Sequence, residues 1–135
     1  LPVPAGSGDD VWVSLVEHVV VPLARAFEPQ LVLVSAGYDA HRDDPLADCA
    51  LTTEGFAALA RAVSGACLSL AAPVGGVLEG GYALGALGRS VAATLRAFST
   101  PASVAGSARA PQAGVTPIAR EARDRLAEWW PQLGR

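Results

Sequence analysis

Apolar residues recurring at three and four positions predict a first helix that runs from an Asp9-Asp10 start to about Phe27. Trp12, Leu15, Val16, Val19, Val20, Leu23 and Phe27 share its apolar face, while His18 falls with Ser14, Glu17 and Arg25 on the polar one. The two aspartates stand where the positive end of the helix favours anions. Pro22 lies inside the pattern and, lacking a backbone donor, should kink the helix. The opening LPVPAGSG, with its prolines and glycines, reads as a loop.

A continuous apolar run, Leu31 to Ser35, follows Pro29 and is too short for a helix. It has the pattern of a parallel strand buried on both faces. A polar loop from Ala36 to Thr52 leads to a second helix from about Thr53 to Leu70, with Phe56, Leu59, Ala60, Val63 and Cys67 inward and Pro73 as its stop. Val74 to Leu78 is weak by propensity because of Gly75 and Gly76, and context makes it a strand. Glu79-Gly80-Gly81-Tyr82 reads as a tight turn before a third helix marked by Leu84, Leu87, Val91, Leu95 and Phe98. Residues 99–115 shift to Ala, Ser, Gly and Pro and read as a flexible linker. Residues 116–135 read as a last helix, with Thr116 as cap, Pro117 in the first position, and a stripe of Ile118, Ala122, Leu126, Trp129 and Trp130.

Alternation of helices and strands predicts an α/β layer structure. Two strands joined by a helix should lie parallel, so both end on the same side of the sheet. Function in open α/β sheets sits outside those carboxyl ends. This selects the loops that begin at Ala36 and Glu79.

Composition narrows the classes further. At 135 residues, 51% hydrophobic and 17% charged, the chain has the material for one core. The net charge of -3 offers no field for a polyanion, so nucleic acid is not an expected partner. Neither a membrane span nor a signal peptide is legible, and the expectation is a cytoplasmic protein. Cys49 and Cys67 have no metal-binding or redox spacing, which fits a reducing compartment. All ten cations are arginine, Met is absent, and the missing initiator suggests a chain cut from something longer.

In the first loop, Asp39 could present an anionic oxygen to a divalent metal, with His41 two residues on. From spacing alone the signal is weak, and the same residues read as a turn-capping aspartate and a solvent-exposed histidine. In the second loop, Gly80 and Gly81 permit close backbone approach to a ligand or an anion. Tyr82 is either a neutral hydroxyl donor at the crevice or a half-buried packing residue.

The string LVLVSAGYDAHRDDPL, then LTTEGF, then VLEGGYAL, in this order and separation, resembles the C-terminal third of the zinc-dependent histone deacetylase and acetylpolyamine amidohydrolase family, class II-like and bacterial members above all. The resemblance spans about residues 1 to 98. It implies the C-terminal segment of a three-layer, parallel-sheet, arginase/deacetylase-like fold. It implies Zn2+ as cofactor and an acetylated lysine or other acetylated amine as substrate. By position, Asp39 matches a zinc-binding aspartate, and Tyr82 the catalytic tyrosine that hydrogen-bonds the substrate carbonyl. Leu46 matches an apolar wall of the substrate tunnel, and Gly80 and Gly81 match the turn that shapes its floor and rim. His41 matches a position that is not a direct zinc ligand. An apolar Leu46, where a carboxylate would attract a second amine, favours an acyl-lysine over a polyamine.

The family's Asp-x-His ligand pair and tandem His-His base have no counterpart here, since His18 and His41 are the only histidines. One aspartate cannot hold a catalytic zinc. The expectation is therefore a chain inactive by itself, whose N-terminal portion of the same fold lies elsewhere. A non-catalytic interaction module and a phosphate-binding α/β domain built on Gly80-Gly81 are the alternatives.

Overall fold

The first predicted helix forms as three contiguous pieces, α1 (Asp9–Leu15), a π-helical turn (Val16–Val20) and α2 (Val21–Phe27). The computed structural model describes residues 1–99 and 113–134. Pro22 accounts for the irregularity, because its ring would collide with the carbonyl four residues back in a regular helix. Widening the preceding turn, where the Val21 N–H reaches the Val16 carbonyl, relieves that collision. The extra residue also rotates all later positions by about 100°. Hence Leu15 and Val19 are buried as expected, whereas Val20 and Phe27 are exposed.

β1 (Val32–Ala36) and β2 (Val74–Leu78) pair in parallel, Val32 opposite Val74 and Ala36 opposite Leu78. The connection runs through α3 (Thr53–Ser69), which buries Phe56, Ala60 and Cys67. This helix ends before Pro73: Ala71 adopts φ 53°, and the Ala72 N–H caps the Cys67 carbonyl at 3.0 Å. The expectation of a strand buried on both faces is corrected. Helices cover the side of Val34 and Ala36, while Leu33 on the opposite side is 65% exposed, with Leu31 and Val77 also exposed.

α4 (Leu84–Phe98) packs on α3 with small residues buried, Ala86, Ser90, Ala93 and Ala97, and with Leu87 and Val91 beside Phe56. Small side chains let the two axes approach closely; Leu84 and Leu95 point to solvent. A core of Tyr38, Leu51 and Phe56 sits under the end of β1, bordered by Trp12, Leu59, Leu87 and Val91.

α5 (Pro117–Leu126) starts where predicted, with the Thr116 hydroxyl accepting the Ala119 N–H at 3.3 Å. Ala119 is fully buried against Leu15 and Val19, and Ile118, Ala122 and Leu126 pack around it. The supposedly polar face of the first helix holds the segment that leads into α5. Ser14 is fully buried and its hydroxyl accepts the Thr116 N–H at 2.9 Å. Glu17 accepts the Ala113 N–H at 2.7 Å, and His18 Nε2 donates to the Ala113 carbonyl at 2.7 Å. Residues 113–115 of the expected linker are thus tied down; residues 100–112 lie outside the described residues. The last helix does not reach residue 135. It stops at Leu126 and a 3-10 turn, Pro131–Gly134, folds back so that Arg123 donates twice to the Leu133 carbonyl, at 2.9 and 2.6 Å. Trp129, assigned to the apolar stripe, is exposed.

Asp9 joins the starts of α1 and α3. Its carboxylate accepts the Thr52 N–H at 2.8 Å and the Thr52 hydroxyl at 2.6 Å, and that hydroxyl accepts the Gly55 N–H at 3.0 Å. A Cβ at Gly55 would collide with the Asp9 carboxylate, whereas one at Gly65, in the same helix, would meet open space. Gly65→Ala should therefore raise stability by about 0.5–1 kcal/mol, and Gly55→Ala should lower it despite the same gain in helix propensity. Denaturant unfolding midpoints of the two variants, shifted in opposite directions, check this.

Candidate functional site

Backbone pairing of β1 and β2 continues past both strands. The Glu79 N–H donates to the Ala36 carbonyl at 3.1 Å, and the Tyr38 N–H to the Gly80 carbonyl at 2.8 Å. Residues 79–83 therefore run on as an extended segment beside the first loop, in place of the expected tight turn. Gly81 has φ +133°, and a Cβ there would press on Leu87 and Tyr38, so glycine is required on both counts. Tyr38 goes into the core against Phe56, with ring centroids 5.0 Å apart. Asp39 follows in a turn closed by the bond from the His41 N–H to the Tyr38 carbonyl, and is half-buried.

The Asp39 carboxylate rests over two glycines. A Cβ at Gly37 would lie 2.8 Å from its Oδ1, and a Cβ at Gly80 would lie 2.9 Å from the same atom. Gly80 thus gives the aspartate of one loop a seat on the other, two residues before Tyr82. Tyr82 is 57% exposed and Leu46 is 70% exposed, both on the outer side. A separate apolar cavity of about 350 Å³ lies between β1 and the helices, lined by Trp12, Val34, Phe56, Leu59, Val63 and Phe98. Asp39 borders it, but Tyr82 and Leu46 do not.

His41 is neither solvent-exposed nor presented with Asp39. It is buried, stacked parallel to Phe56, and its Nδ1 accepts the Asp43 N–H at 3.1 Å. An Nδ1 that accepts carries no proton, so the imidazole orders the loop and its nearby Asp43 carboxylate at 3.7 Å is no ion-pair partner in that tautomer. Among the described residues no three His, Cys, Asp or Glu side chains gather as a metal site. These residues therefore do not fit a zinc centre on their own; Asp39, cradled by two glycines, fits one ligand position.

Asp44 is the residue that sequence reading passed over. One oxygen accepts the Leu46 N–H at 3.0 Å; the other accepts the Tyr82 N–H at 2.7 Å and the Ala83 N–H at 3.3 Å. The bond to Leu46, two residues on, was legible as an Asp-Pro turn. The bonds to Tyr82 and Ala83 cross 38 and 39 residues and left no local signal.

Two parallel strands that bring a cradled carboxylate and a Gly-Gly-Tyr segment together at their carboxyl ends define an α/β protein with its polar site at the strand tips. Residues 1–98 match the histone deacetylase domain family, and the chain belongs to that family. It is 45% identical over 103 residues to histone deacetylase 14, chloroplastic, of Arabidopsis thaliana, covering 73% of this chain and 23% of that protein. It is 35% identical over 129 residues to polyamine deacetylase HDAC10 of Homo sapiens, covering 95% of this chain and 19% of that protein. A crystal structure of the HDA15 HD domain superposes with a TM-score of 0.77 at 30% identity, covering 97% of this chain and 34% of that one. The chain thus spans about a fifth to a quarter of the length of these two relatives.

The backbone donors around Asp44 also set its titration. Desolvation pushes its carboxyl up, but the N–H groups of Tyr82, Leu46, Ala83 and Ala47 together outweigh that, and its pKa lies below the ordinary 3.8. A depressed folded pKa means that this anchor is complete above 3.8 and is lost only as the pH falls through the lower folded value. The amide proton shifts of Tyr82 and Ala83 should accordingly titrate with a midpoint below pH 3.8; a midpoint above that pH would contradict the assignment.

Proposed function

We propose that this chain supplies one part of the active site of a zinc-dependent amidohydrolase that removes acetyl groups from lysine or other amines. The observation that carries this reading is the junction of the two loops, with the Asp39 carboxylate seated on Gly80 in the segment that leads to Tyr82, in a chain of the histone deacetylase family. Asp39 serves as one zinc ligand. The remaining ligands and the general base come from residues outside this chain, and the 135 residues alone are inactive. The open sheet face of Leu31, Leu33 and Val77 supports this, because a parallel sheet is normally covered on both sides.

When bound, zinc polarises the amide carbonyl and lowers the pKa of a bound water. Tyr82 donates a hydrogen bond from its phenolic hydroxyl to the carbonyl oxygen as negative charge grows on it. Leu46, beside Tyr82 through the shared Asp44 carboxylate, forms an apolar wall for the acyl-amine chain. That wall favours an acyl-lysine over a substrate with a second cationic amine.

In the complete enzyme, Tyr82→Phe should lower kcat about 100-fold to 1000-fold with zinc content and KM little changed, the loss expected for one oxyanion donor. Asp39→Ala should lower zinc content and activity together. Steady-state kinetics with an acetyl-lysine peptide, paired with metal analysis, separates the two. Wild-type kcat in Tyr82→Phe, or loss of zinc from it, would return Tyr82 to a packing role.

A further inference from the structure

Tyr82 is more than half exposed and, among the described residues, its hydroxyl has no hydrogen-bond partner to orient it. Two glycines precede it, so its position depends on how its backbone is held. We propose that Asp44 is the positioning residue for Tyr82, its carboxylate fastening the Gly-Gly-Tyr segment to the Asp-Pro-Leu loop. This rests on the reading of Tyr82 as the carbonyl donor.

Three features support the assignment. The 2.7 Å bond from the Tyr82 N–H to Oδ2 has the length of a charge-assisted hydrogen bond. The other oxygen takes the Leu46 N–H, so one carboxylate sets the spacing between the apolar wall and the phenol. Finally, Ala83, which precedes the first residue of α4, offers no side-chain cap, and its N–H finds Asp44 instead. An anion at a helix start is favoured there, which holds the carboxylate in place without a partner cation.

A helix cap alone would alter stability but not couple to the phenol, and the test exploits that difference. In the complete zinc-loaded enzyme, Asp44→Ala should lower kcat about tenfold with KM within about twofold, because the donor remains but is misplaced. In a Tyr82→Phe background the same substitution should cost less than about twofold, since no hydroxyl is left to misplace. Asp44→Asn keeps an oxygen for the Tyr82 N–H and should recover kcat to within about threefold of wild type; it also replaces Asp44→Ala in the cycle if the alanine variant does not fold. Amide hydrogen exchange across residues 79–84 should quicken in Asp44→Ala while zinc content stays unchanged. Asp43→Ala, whose half-exposed carboxylate lies 3.7–3.9 Å from Arg42, Arg89 and His41 Nδ1 and is not bonded to the Tyr82 segment, should keep wild-type kcat. Losses that multiply in the double variant, or an equal loss in Asp43→Ala, would overturn the proposal in favour of general loop stability. Wild-type kcat in Tyr82→Phe would instead overturn the reading of Tyr82, whereas a slow Tyr82→Phe beside a wild-type Asp44→Ala would overturn this inference alone.

Discussion

The parallel ladder between β1 and β2 is the constraint on which the rest of the arrangement depends. Because it runs beyond the strands, through Glu79 to Ala36 and Tyr38 to Gly80, the two loops leave the sheet in register and not merely near one another. Register decides side-chain direction. Tyr38 is committed to the core, and Gly80 arrives beside Asp39 without a side chain to displace the carboxylate. The helices then serve the ladder: α3 spans the crossover, α4 locks against it through small residues, and the first helix is fixed to α3 through Asp9 and Thr52.

Short polar side chains at helix starts do much of the organising. Asp9, Thr52 and Thr116 each satisfy backbone or hydroxyl donors across or within elements, and Asp44 does so for α4 from another loop. Each removes the need for a donor to find water, which matters where the elements are short. Ser14 extends the pattern to the C-terminal segment, where one buried hydroxyl accepts from both the N–H and the hydroxyl of Thr116.

Much of this was legible in the residues. The strand at Val32, the helix begun by Thr52, the Thr116 cap and the parallel pairing all follow from patterns that operate over a few residues. What escaped was set by contacts across the chain or by one inserted residue. The π turn before Pro22 rotated the face of the first helix, so Phe27 lost its place in the core. Ser14, Glu17 and His18 looked solvated because their partners lie about a hundred residues on. His41 looked like a surface residue, yet stacking on Phe56 and a bond from the Asp43 N–H place it inside. The Asp39 and Tyr82 loops were identified from strand direction and resemblance, but the glycine seat and the Asp44 anchor exist only once the loops meet.

The account's central claim is that Asp39 and Tyr82 act on one carbonyl. It is tested most directly by a crystal structure, with anomalous data at the zinc edge, of the complete domain bound to a non-hydrolysable analogue of an acetylated amine. An anomalous peak is expected about 2.0–2.2 Å from an Asp39 carboxylate oxygen, with the Tyr82 hydroxyl about 2.7–3.1 Å from the analogue's carbonyl-equivalent oxygen. A zinc peak away from Asp39, or an analogue oxygen beyond reach of the Tyr82 hydroxyl, would contradict it.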